Sequence, residues 1–137
     1  MLRQLLTGGL VSLCNISIHA LVMALVVAAA RRASATRAHY PAMRLIVVMI
    51  ATVSVLMAAH TGEVMVWAFA YLLVGAAPEG ASLVYFAFVN YTTLGYGDIM
   101  PTRDWLLLGP LTAMNGVLMF GWSTAVIFEI LRKVMKR

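Results

Sequence analysis

Charge is scarce in this sequence. Of its 137 residues only 11% are Asp, Glu, Lys or Arg, and only 5 of those are acidic. Soluble domains carry about 25% charged residues. With 63% of the residues apolar, the composition excludes an ordinary soluble domain and reads as a membrane protein. Cysteine is almost absent as well. The single cysteine, Cys14, sits inside an apolar run, which excludes an intrachain disulfide and a thiolate metal cluster. Cofactor fingerprints, nucleophile motifs and paired acids in a polar loop are all missing, so nothing argues for an enzyme, a cofactor or a small-molecule substrate. The first apolar run lacks the regularly spaced arginines of a voltage sensor. The length is too small for a multi-domain transporter, yet it allows about three spanning helices of roughly 20 residues each.

What charge there is falls in two places. The net charge is +5, but the basic residues flank apolar runs, a pattern that marks membrane orientation rather than nucleic-acid binding. Residues 1–30 contain the run Leu5 to Ala30. It exceeds the apolar segment of a signal peptide, only Arg3 precedes it, and Arg31 and Arg32 follow directly, so the reading is a retained helix. Residues 31–44 hold Arg31, Arg32, Arg37, His39, Pro41 and Arg44 and form a basic connection. The run Leu45 to Ala77 is interrupted by His60, Thr61, Gly62 and Glu63. It could be one long helix or two short ones. The tail 132–137, with Arg132, Lys133, Lys136 and Arg137, should lie on the same cytoplasmic side as the connection. That parity requires one crossing, so a long tilted helix over 45–77 is expected, with the first residues of the chain outside. A helix over 105–131 closes the chain, and the segment after it is too short to fold as a regulatory domain. The expected location is the cell (inner) membrane, multi-pass, with lipid as a partner.

Between the last two runs lies a stretch too short to span. Residues 81–92 are apolar, and 93–98 follow as a glycine-rich turn, which suits a re-entrant half-helix and loop. The turn reads Thr92-Thr93-Leu94-Gly95-Tyr96-Gly97-Asp98. A cation entering a narrow pore must exchange its water for a close stack of oxygens. Backbone carbonyls can supply that stack if successive ones point to one side, whereas an ordinary strand alternates them. Gly95 and Gly97 permit the dihedrals that undo the alternation. Thr93 can add its hydroxyl.

This heptapeptide resembles the selectivity filter of potassium channels, with Leu94 where valine is usual. Residues 45–131 are similar to the outer helix, pore helix, filter and inner helix of two-helix prokaryotic potassium channels. The resemblance implies an all-α membrane protein with three transmembrane helices, a re-entrant pore helix and a filter loop, assembled as a homotetramer with three identical subunits as partners. It implies that Thr93, Leu94, Gly95, Tyr96 and Gly97 hold the permeant K+, the only metal expected, with Thr92, Asp98, Tyr85 and Phe86 as support. A hydrogen bond from Asp98 to Tyr85 behind the filter is expected. Many relatives carry a glutamate where this chain has Val89, so mechanisms that use that carboxylate should be absent. The resemblance places Gly116 at a hinge position, with close helix packing as the other reading. Val117, Phe120, Thr124 and Phe128 fall on one helical face and are candidates for the pore lining or gate. A non-selective cation channel and a non-conducting accessory subunit are the alternative functions.

The helix over 1–30 lies outside that pattern. It carries Asn15 and His19 one turn apart near its middle, as the long helix carries His60 and Glu63. Ionisable groups at membrane depth are costly and face other protein. The two pairs should therefore meet in a polar contact that fastens the extra helix to the channel body. A metal site at His19, His60 and Glu63 is the sharper alternative.

Overall fold

The computed structural model describes residues 1–35 and 41–135. Arg37, His39, Lys136 and Arg137, read above as parts of the basic flanks, lie outside the described residues. The described residues contain no strand and form the helices α1 (Leu2–Ala35), α2 (Pro41–Val74), α3 (Leu83–Tyr91) and α4 (Leu108–Met135), with a single 3-10 turn at Arg103–Trp105 before α4. Among the described residues, three helices are long and apolar enough to cross a membrane.

The helix ends differ from the hydropathy runs because hydrogen bonds and backbone conformation, not apolarity, terminate a helix. Helix α1 continues past Ala30 through Arg31 and Arg32, since arginine is a good helix former. Pro41 is the first residue of α2, where its fixed φ is already helical and no N–H is needed. The same helix stops at Val74, three residues before the apolar run does. Gly75 adopts φ +65°, and Ala76 N–H returns to the Tyr71 carbonyl at 3.0 Å. Through His60 to Glu63, α2 is unbroken. At 34 residues it is about 50 Å long, more than an apolar slab of about 30 Å, so it must tilt or project. Helix α3 occupies 9 residues, inside the expected 81–92. Pro110 falls in the first turn of α4, where an amide proton is dispensable.

The three long helices run alternately and bury two cores. One surrounds α3 with Trp67, Tyr71, Phe86, Tyr91, Leu108 and Met119. The other joins the opposite ends of the helices through Met23, Leu56, Val126 and Ile130. There Arg44 donates to the Val134 carbonyl at 3.3 Å, so the basic start of α2 lies beside the basic end of α4. At the end that carries the 93–98 loop, α1 completes the start of α4. The Gln4 side-chain oxygen accepts the Leu107 N–H at 2.8 Å, and the Arg3 guanidinium sits 4.3 Å from the Trp105 ring centre. Gly8 lies against Leu108 and Leu111, so close that a β-carbon there would press on the Leu111 side chain.

Candidate functional site

The last turn of α3 sets the geometry of the loop that follows it. Its terminal carbonyls are captured at once: Thr92 N–H bonds Phe88 O at 2.9 Å, Thr93 N–H bonds Asn90 O at 3.0 Å, and Leu94 N–H bonds Val89 O at 3.0 Å. The Thr92 hydroxyl also returns to Phe88 O, at 2.7 Å. Beyond that point the backbone takes positive φ at every second residue: Thr93 (60°), Gly95 (57°) and Gly97 (76°). Glycine makes this inexpensive at two of the three positions. Thr93 is β-branched, and its left-handed conformation costs about 1–2 kcal/mol. The sequence reading assigned the special dihedrals to the glycines alone; nothing in the letter Thr announces that it shares them.

The loop is exposed on a single chain. Leu94 is 52% and Tyr96 69% accessible. Behind it lies a cleft of about 390 Å³ that Val89 helps to line, together with Asn90, Ile99, Pro101 and Gly109. At the outer end, the Tyr85 hydroxyl donates to Asp98 at 2.7 Å, the bond expected from the motif. The Asp98 carboxylate, by accepting that proton, holds the Tyr85 phenol above its ordinary range. Phe86 is placed differently. It is buried against Tyr71 of α2, with ring centres 4.9 Å apart, so within one chain it packs on the outer helix. After the loop, Thr102 ties the chain back to α2 by donating its N–H to the Ala76 carbonyl at 2.8 Å.

Below the loop, α4 passes so near the end of α3 that a β-carbon at Gly116 would overlap the Tyr91 carbonyl oxygen. Close packing thus accounts for Gly116. Val117, Thr124 and Phe128 are exposed on α4. Phe120 belongs to the same face but is partly engaged, its ring 4.6 Å from His60 and 5.5 Å from Tyr91.

The two intramembrane pairs meet. His19 Nδ1 lies 2.7 Å from Glu63 Oε1, and His60 Nδ1 lies 3.2 Å from Glu63 Oε2. The Asn15 amide donates to the Glu63 backbone carbonyl at 3.2 Å and to Asn115 Oδ1 at 3.1 Å. Trp67 also donates to Asn115, at 3.0 Å. The Tyr91 hydroxyl donates to the Glu63 carboxylate. Ser123 Oγ faces both imidazoles, 3.0 Å from His60 Nε2 and 3.4 Å from His19 Nε2. Asn15, His19 and Glu63 are completely buried. Sequence reasoning missed Tyr91, Asn115 and Ser123. The signal was there for the last two: they are polar residues two helical turns apart in an apolar helix, and therefore share a face.

A family model described as "Ion channel" matches residues 45–133. The match takes in nearly all of α2, the whole of α3, the loop and nearly all of α4, and it leaves α1 outside. Comparison with curated proteins and with solved structures gave no match.

Proposed function

Because the chain belongs to the ion channel family matched over residues 45–133, we propose that it is a potassium-selective channel subunit, and that four copies surround one pore with Thr93 to Gly97 as the filter. The observation that carries this reading is the alternation of left-handed residues at Thr93, Gly95 and Gly97. Alternating handedness turns successive carbonyls toward one side, as a stack of oxygens replacing a hydration shell requires. One strand offers too few oxygens for a dehydrated cation, so a closed ring of copies is needed.

Exposure of the loop supports the same assembly. Irregular backbone at membrane depth is tolerated only against protein or a water-filled cavity, never against lipid. On a single chain the filter is bare, and the exposed residues Val117, Thr124 and Phe128 continue that bare face along α4. Three further copies would cover it and leave those side chains along the conduction path. The 9-residue α3 ends at the filter, and the negative end of its dipole would favour a cation there. Conduction itself calls for no cofactor beyond the permeant ion. With the basic ends of α1, α2 and α4 in the cytoplasm, the first residues of the chain would face outward across the cell (inner) membrane.

Reconstitution of the purified chain alone tests the reading. Reversal potentials in mixed potassium and sodium should follow the potassium gradient. Equal permeability would identify a non-selective cation channel, and absence of flux an accessory subunit.

A further inference from the structure

The buried cluster under the pore helix has the donors of a metal site. We infer that His19, His60, Glu63 and Tyr91 bind one divalent transition-metal cation of the zinc class, joining α1, α2 and α3 through a single ion. This inference goes beyond ion conduction and does not depend on the selectivity of the pore.

Geometry is the first support. The ligating atoms of His19, His60 and Glu63 all lie within 4.8 Å of one another. The Tyr91 oxygen lies 3.1 Å from His60 Nδ1, within the same group. Metal–ligand bonds of about 2.0–2.1 Å in a tetrahedron set neighbouring ligands about 3.4 Å apart. The 2.7 Å and 3.2 Å separations between the imidazoles and Glu63 fall short of that by about 0.7 Å and 0.2 Å, shifts side chains can make. Three elements converge on the point, so the ion would fix tertiary structure and not a single turn.

Proton accounting is the second support, and it is independent of the first. A carboxylate only accepts hydrogen bonds, so His19 Nδ1, facing Glu63, must carry a proton. Tyr91 gives its proton to Glu63. His60 Nδ1 then faces two acceptors and must carry one too. Both Nε2 atoms are left as bare lone pairs, and both face Ser123, which has one proton to give. With both imidazoles neutral, one ring nitrogen is left unsatisfied and the buried Glu63 carboxylate uncompensated, defects that a proton on one imidazole would also repair. A cation at the Nδ1 atoms repairs both defects. Each imidazole moves its proton from Nδ1 to Nε2, and both Nε2–H groups donate to the Ser123 oxygen, which can accept two. Metal-bound histidines routinely secure their second nitrogen in this way. On metal binding the Tyr91 proton would pass to water, leaving a phenolate and a carboxylate against two positive charges, a neutral site as the membrane interior demands.

The donor set defines the ion. Two imidazole nitrogens and two anionic oxygens suit zinc or cobalt(II), whereas calcium and magnesium prefer oxygen throughout. Cys14 is exposed and lies outside the cluster. His60 is the accessible member, with 12% of its side chain exposed.

The test uses the full chain in detergent, stripped with chelator and titrated with Co2+ and Zn2+. One equivalent per chain is expected, with the visible absorption of tetrahedral cobalt, and X-ray absorption of the zinc-loaded wild type should show two imidazoles in the first shell. His19→Gln and His60→Gln should each weaken binding at least tenfold, while Cys14→Ser should not. Substoichiometric metal, a first shell without two imidazoles, or binding unchanged in both histidine variants would overturn the inference. So would a protein whose thermal stability responds to pH but not to added metal, because the cluster would then take only a proton.

Discussion

The Gly116 α-carbon lies directly against the carbonyl of Tyr91, with no room for a methyl group between α4 and the last turn of α3. Helix α4 therefore bears on the residue that leads into the 93–98 loop. Gly116→Ala must push two backbones apart, and overpacking of this kind costs about 1–3 kcal/mol. A lowered Tm in detergent and reduced flux are expected. Gly121, which has open space at its β-position, is the control: Gly121→Ala should leave the Tm unchanged or raised.

Glu63 accepts from α1 and α3 at once, through His19 and Tyr91. Glu63→Ala removes the carboxylate that groups on three elements share: His19 on α1, His60 on α2 and Tyr91 on α3. Removing one member of a buried charged network costs about 3–5 kcal/mol, and the thermal and assembly stability of the purified protein should both fall. Unchanged stability would contradict the role of this residue in fastening α1.

Thr93 holds a left-handed conformation that suits glycine. Thr93→Gly should relieve about 1 kcal/mol of backbone strain and raise the Tm, while loss of the hydroxyl should lower the potassium selectivity proposed for the loop. Gly95→Ala and Gly97→Ala should act oppositely on stability, each introducing a β-carbon at positive φ. Thermal melts paired with reversal potentials separate the two effects.

Tyr85 donates to Asp98 only while it keeps its proton. Its folded value lies above the ordinary one, first because of that hydrogen bond. The contact therefore contributes fully below the ordinary phenol value of about 10 and is lost as pH rises through the raised one. In alkaline titrations followed by phenolate absorbance, Tyr85→Phe should remove one late-ionising group. Asp98→Asn should return that group toward its ordinary value.

Much of this architecture was legible in the letters. The runs beginning at Leu5, Leu45 and Trp105 announced three crossings, because a membrane leaves a helix no other way to satisfy its backbone. The Gly95-Tyr96-Gly97 turn announced the loop, since few residues tolerate its dihedrals. Asn15, His19, His60 and Glu63 announced a contact, since polar groups at that depth must find one another. Helix ends were less legible: Gly75 closes α2 within an apolar run, and Arg31 and Arg32 extend α1 beyond one.

Composition and spacing by themselves determined the class of protein, the number of apolar helices long enough to cross a membrane and the place of the glycine-rich loop. These follow from solvation of the backbone and from local dihedral preference, which are properties of short stretches. Only the tertiary structure decided that Thr93 shares the left-handed geometry, that Phe86 turns to α2, and that Tyr91 and Ser123 complete the cluster around Glu63. Those facts depend on which side chains from distant segments arrive at the same point. That is fixed by the packing of four helices together and is encoded in no single one of them.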